Sequence, residues 1–165
     1  MERIVEVIED GNRAVMRAYL AVTIGEGIYQ EKREGQEDLR FEAKPLLVNT
    51  GNTQARKIKI RIAADIVPAP TPEDFKFPLE DTTRDSGVVG AHLNAAMSAM
   101  VKRAIPWNEV ANTKEGIKQV LCVWGIVTYE DIFGDSHWTK FGQAITWLPS
   151  GKVWGYYLSG QNDTD

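Results

Sequence analysis

Asp131, His137 and Thr139 flank a single turn, Phe133-Gly134-Asp135-Ser136, and are residue types from which a general base can be built. A carboxylate that orients an imidazole tunes its proton affinity and its tautomer. On two strands joined at this turn, His137 and Thr139 share one face and Asp131 approaches from the partner strand. Such a set would suit a hydrolase-like enzyme using Asp131 and His137. The competing reading is that these side chains tie down the hairpin by hydrogen bonds while Phe133 plugs the end of the fold, since carboxylate–histidine pairs also serve as plain structural links.

Other chemistry is sparse. Cys122 with His137 would suggest a thiol nucleophile, but it sits among Leu121, Val123 and Trp124, where a cysteine acts as a small buried hydrophobe. His92 and His137 lie in different elements and lack metal-ligand spacing, so no metal and no cofactor is expected. Gly25-Glu26-Gly27 lacks the third glycine and the following helix of a phosphate loop. Arg56, Lys57, Lys59 and Arg61 form a basic stripe along one strand, suited to an acidic partner or a lipid headgroup and equally to the solvated face of a sheet. Trp124, Trp138, Trp147, Trp154, Tyr156 and Tyr157 crowd the C-terminal third. Trp138 has the opposite parity to Phe141 and Ile145, so at least one ring is expected to face outward and offer a contact.

The elements that must position these residues are mostly strands. Ile58, Ile60, Ile62 and Ile66 share one parity against Lys57, Lys59, Arg61 and Asp65 on the other, the pattern of a half-buried strand. Ala18, Leu20, Val22 and Ile24 alternate in the same way, as do Leu39, Phe41, Ala43 and Leu47. Pro45 within the latter run predicts an edge strand or a bulge. Asn49-Thr50-Gly51-Asn52-Thr53 reads as a hairpin turn in which Gly51 and Asn52 accept positive φ. A second hairpin joins Val120–Glu130 to His137–Leu148, and a short strand, Val153–Leu158, follows. Met1–Arg17 is a short helix candidate with Ile4, Val7, Ile8 and Val15 on one face, interrupted by Gly11. Trp107–Gln119 has room for one or two helical turns. Ala91–Ala104 has alanines and methionines that favour helix and a strand parity at Leu93, Ala95, Met97, Ala99 and Val101. Val67–Asp85, with Pro68, Pro70, Pro72 and Pro78, reads as a long surface excursion.

With 165 residues, 43% hydrophobic and 25% charged, the chain has the length and composition of one globular domain. One cysteine excludes an intrachain disulfide. A net charge of −4 gives no overall pull toward nucleic acid. The longest stretch without a formal charge, Ser86–Val101, is shorter than the ~20 apolar residues a membrane span needs. With no signal-like N-terminus and a lone thiol, the expected location is cytoplasmic.

Two resemblances accompany this reading. Leu47–Ile58, with its Asn-Thr-Gly-Asn-Thr core, resembles the Asn-x-Gly-x-Thr-x-Ala hairpin of bacterial immunoglobulin-like domains. Arg17-Ala18-Tyr19-Leu20, that hairpin, Trp124–Phe141 and Asn162-Asp163-Thr164-Asp165 occur in an order similar to a widespread set of uncharacterised bacterial proteins. Its most specific block is Tyr129, Asp131, Phe133-Gly134 and His137-Thr139. The resemblance implies an all-β, immunoglobulin-like β-sandwich of about seven strands, with Ala91–Ala104 extended. In that set a membrane helix precedes the domain. Its absence here suggests a soluble relative or a fragment cut after the anchor, with membrane proximity at the inner face of the bacterial membrane, and it implies no catalytic residue.

The expected organisation is therefore a helical stub at 1–17 and a β-sandwich at 18–165. The expected function is a non-enzymatic protein-interaction or sensing module, its partner a protein or a second copy of the chain. The alternative is a small-ligand receptor holding its ligand between the Val67–Asp85 loop and the sandwich. The hydrolase-like reading ranks third.

Overall fold

The structure, a computed structural model, describes residues 2–29 and 38–165, with side chains for 6–27 and 40–165. Met1 and the side chains of Ile4 and Leu39 lie outside the described residues. The chain opens with α1 (Glu2–Met16), followed by β1 (Leu20–Tyr29), β2 (Asp38–Leu39), β3 (Phe41–Asn49), β4 (Ala55–Pro68), β5 (Arg84–Val89), β6 (Asn94–Ala96), β7 (Ala99–Met100) and β8 (Ile105–Pro106). Then come α2 (Trp107–Glu115), β9 (Gln119–Glu130), β10 (Ser136–Trp147), β11 (Val153–Tyr157) and β12 (Asp163–Thr164).

The fold is all-β, with every strand pairing antiparallel. One sheet runs β1-β3-β6, with β7 on the same edge of β3 as β6. A second runs β11-β10-β9-β4-β5, with β12 also on β10, and β2 pairs β8 in a two-stranded ribbon. Alternation does the folding work. Phe41, Ala43 and Leu47 of β3 and Leu20 and Val22 of β1 meet Ile58 and Ile60 of β4, Leu121, Val123 and Val127 of β9, and Phe141 and Ile145 of β10 in one core. Burial of this apolar surface at about 25 cal/mol per Å² is what holds the sheets together.

Two local expectations hold, the irregularity at Pro45 and the extended Ala91–Ala104, and two change, the turn conformation at Gly51–Asn52 and the long loop. Pro45 is not on an edge, because β3 is central in its sheet. It is accommodated by irregularity on both sides: β1 carries a register shift between Thr23 and Glu26 opposite it, and β6 and β7 leave a gap between their pairings at Leu46 and Ala43. Gly51 and Asn52 do not take positive φ; in β4 that conformation falls on Lys57, at the β4 irregularity. Gly51 is needed for closeness instead, since a Cβ there would lie 2.4 Å from the Arg17 carbonyl oxygen. Ala91–Ala104 is extended, forming β6 and β7. The long loop is not an excursion. Its Phe75, Phe77 and Leu79 pack onto the outer face of the second sheet over Val67, Val120, Cys122, Trp124 and Ala144, building a second apolar cluster.

α1 continues through Gly11, a solvent-open position where glycine costs about 1 kcal/mol relative to alanine. Its described side chains from Glu6 to Met16 are exposed. The helix is fixed at its C-terminal end, where the orphan carbonyls of Ala14, Val15 and Met16 accept from Tyr19 Oη, Asn52 Nδ2 and Thr53 Oγ1. No helix among the described residues is long and apolar enough to cross a membrane.

Candidate functional site

The sequence singles out the β9–β10 turn, and the structure assembles a polar cluster there. Gly134 takes φ 84° and lets the chain reverse between Asp131 and Asp135. The carboxylate of Asp131 is thereby turned back onto its own loop, where Oδ1 accepts the amides of Phe133 at 2.8 Å and Asp135 at 3.1 Å. Its Oδ2 lies 2.8 Å from His137 Nε2. The other ring nitrogen, Nδ1, lies 2.9 Å from Asp165 Oδ2. Asp165 is held in turn by Arg17 at 3.0 Å and by the Trp138 amide at 3.2 Å. A neutral imidazole has a single N–H, so only the protonated ring donates to both carboxylates. The Tyr129 ring packs 5.4 Å from the imidazole.

Burial alone would push the Asp131 carboxyl up, but His137 and the two loop amides hold it below its ordinary value. Asp165 behaves alike: burial raises it, and His137, the Trp138 amide and Arg17 outweigh that. The His137 side chain is 9% exposed and both nitrogens are engaged, leaving neither one open to a substrate. The cluster ties the hairpin tip, the end of β12 and the root of α1 together.

Thr139 does not join it. Its hydroxyl donates to the Leu20 carbonyl at 2.7 Å, across to the first sheet. Gln143, two pleat repeats further along the same face, donates to the Val22 carbonyl at 3.2 Å. Tyr129 Oη accepts from the Leu20 amide. Together they staple β1 to the second sheet. Sequence reading missed Gln143, whose only signal was a polar residue at a core parity of β10.

The basic stripe is largely consumed within the chain. Arg56 donates to the Asp131 carbonyl at 3.0 Å, Lys57 pairs with Glu130 at 2.9 Å, and Arg61 binds the Glu80 carbonyl at 2.8 Å and Asp81 at 3.3 Å. Lys59 alone of the four stands exposed without such a bond among the described residues. Unbroken alternation would align only Lys57, Lys59 and Arg61, and the irregularity at Lys57 leaves both Arg56 and Lys57 between the buried Ala55 and Ile58. Cys122 is fully buried beneath the loop, and burial pushes its thiol up to about 12, far from a nucleophile's range. His92 is exposed, on a left-handed turn residue.

Among the rings, Trp138 is half-buried, whereas Trp154 and Tyr156 stand side by side on β11, 52% and 38% exposed, with centroids 5.9 Å apart. Gly155 between them faces inward onto Ile24, which sends both rings to the outer face. That face is the one the 69–83 loop covers over Trp124. A further feature lies at the loop's margin: a groove of about 510 Å³ bounded by Ile62, Ala64, Phe75, Leu79, Met100 and Arg84. Among the described residues, no group of three or more metal-ligating side chains converges.

No family model and no curated protein matches the chain. Among solved structures, a structural-genomics target superposes with a TM-score of 0.40 at 11% identity, over 87% of this chain and 88% of its own. A Bordetella pertussis protein assigned as ApaA superposes with a TM-score of 0.41 at 10% identity, over 88% and 98%. Superpositions this loose carry no information about what the chain does.

Proposed function

We propose that the chain is a non-enzymatic protein-interaction module, immunoglobulin-like in type, that docks a protein partner on the outer face of β11. One observation carries the reading: Trp154 and Tyr156 form an exposed aromatic pair on an edge strand, beside a stretch of the same face that the chain covers with its own Phe75 and Phe77. Large amphipathic rings of this kind are enriched at interface centres, and contiguous apolar surface is uncommon on a free monomer. The two-sheet architecture with one shared core supports the immunoglobulin-like assignment, as does the order of motifs along the chain.

The test is paired affinity capture from the native host with the unaltered chain and a Trp154→Ala/Tyr156→Ala variant. A protein, or a second copy of the chain, recovered with the former and lost with the latter supports the reading. Identical recovery with both overturns it, provided the melting temperatures agree.

A second reading, a small-ligand receptor, is favoured by the groove beside the 69–83 loop, whose volume falls within the roughly 300–1,000 Å³ of ligand pockets.

A further inference from the structure

The groove has a wall that no pocket of side chains alone would have. β4 is paired with β9 along nearly its whole length, from Arg56↔Glu130 to Pro68↔Gln119. Its opposite edge is paired with β5 only from Ala55↔Val89 to Ile60↔Arg84. In an antiparallel ladder the N–H and C=O of one residue point to the same side, and neighbours alternate. The Ala69 amide donates to the Lys118 carbonyl at 3.0 Å, one step beyond Pro68↔Gln119. The register is unbroken from Lys59 to Pro68, so odd-numbered residues there face β9 and even-numbered ones face away.

Two facts agree with that parity, beyond the point at Ile60↔Arg84 where the pairing with β5 ends. The Ile66 amide is taken by the carboxylate of its neighbour Asp65 at 2.8 Å. Pro68 has no N–H to leave open. Between these protected points, Ile62 and Ala64 present N–H and C=O groups to the groove with no ladder partner among the described residues. An edge of this kind is a template for another strand.

The rest of the groove sets the chemistry of what it would accept. Leu79 and Met100 supply apolar walls. Of its three cations, Lys102 is paired with Glu80 and Arg103 with Asp65 at 3.8 Å. Arg84 bonds only the Ser98 carbonyl, at 3.0 Å, and no carboxylate lies within ion-pair distance of it among the described residues. It stands where β5 leaves the edge of β4.

We infer that this groove binds an extended segment of a partner protein, which continues the track of β5 along β4. The segment pairs with Ile62 and Ala64 through its backbone, places small apolar side chains against Leu79 and Met100, and carries one acidic residue that meets Arg84. Backbone pairing supplies affinity in this mode and the alternate side chains supply specificity. The inference rests on the protein-interaction reading and adds a second contact to it. A small molecule would use the apolar walls but not an alternating row of main-chain donors and acceptors.

The experiment has two parts, both on the full chain. Amide hydrogen exchange by NMR reads the edge directly. Ile62 and Ala64 exchange fast in the free chain, and protection of both there would overturn the inference. A library of capped hexapeptides is then screened, and the tightest binder is resynthesised with single backbone N-methyl groups. Methylation at alternate positions should weaken binding roughly tenfold or more, with the intervening positions neutral. In the complex the Ile62 and Ala64 amides should slow by about 100-fold. Arg84→Glu should turn a preference for an acidic residue into one for a basic residue, and Arg84→Gln should abolish either preference.

No binder at about 1 mM, binding indifferent to N-methylation, or a binder that leaves these amides unprotected each overturns the groove. Host-protein capture separates the two readings. Loss on altering Trp154 and Tyr156 without loss in Arg84→Glu removes the groove and leaves the interaction module. Capture indifferent to the aromatic pair removes that module's surface, while exchange and the methyl scan still judge the groove.

Discussion

The middle of β9 and its Glu130 end are closed by opposite means. At its middle, Trp124 is covered by Phe75 and Phe77 in edge-to-face contact, with centroids 5.7 and 5.5 Å away, and its indole N–H donates to the Pro78 carbonyl at 3.0 Å. At the Glu130 end, closure rests on Asp131, His137, Asp165 and Arg17, with little apolar surface involved. The apolar cover is stable at any pH and tolerant of small shifts, because burial is non-directional. The polar lock is directional, and each partner it loses leaves a charged group stranded out of water. The first closure fixes a loop; the second fixes three chain segments that are remote in sequence.

The largest effect should come from Trp124→Ala, which removes the ring both phenylalanines rest on. A loss of about 3–5 kcal/mol is expected in urea unfolding. Cys122 sits beneath the same cover, so thiol labelling in native buffer should be very slow in the unaltered chain and fast in the variant. Equal labelling rates would show that the loop is not held by this ring.

His137→Ala should cost about 2–3 kcal/mol by leaving Asp131 and Asp165 without their shared partner. Cys122 labelling should stay slow in it, which separates the two closures. The acid limb is a smaller effect. Asp131 and Asp165 are held below their ordinary values in the fold. Their stabilisation is therefore complete above the unfolded carboxylate value of about 4, and it is lost as pH falls through the lower folded values. Melting curves between about pH 5 and 2 should fall steeply in the unaltered chain and less so in His137→Ala. Parallel curves would contradict the lock. The smallest effect belongs to Thr139→Val, about 1 kcal/mol, from an unmet Leu20 carbonyl.

The Asp131–His137 proximity was legible because a short turn on two strands allows few alternatives, and Gly134 marked it. Asp165 was not, since nothing local ties residue 165 to residue 137; β12 had to pair with β10 first. What engages the basic stripe was not legible for a related reason. Alternation assigns faces only along an unbroken ladder, and the irregularity at Lys57 leaves both Arg56 and Lys57 between the buried Ala55 and Ile58. Parity separates Trp138 from the buried Phe141 and Ile145, but it could not say that Trp124 would be the ring covered by a distant loop or that Trp154 would stand the more exposed.

Apolar alternation, turn residues and composition by themselves determined an all-β chain, the hairpin between β9 and β10, and the burial of Cys122. These depend on residues near one another, whose side chains must point up or down from a pleated strand. Tertiary structure alone decided that the proline-rich loop is a cover, that the Asn-Thr-Gly-Asn-Thr turn caps α1, and that two residues of β4 are left with open backbone. Each of those depends on where strands end relative to partners far along the chain, and no local pattern encodes the length of a neighbour.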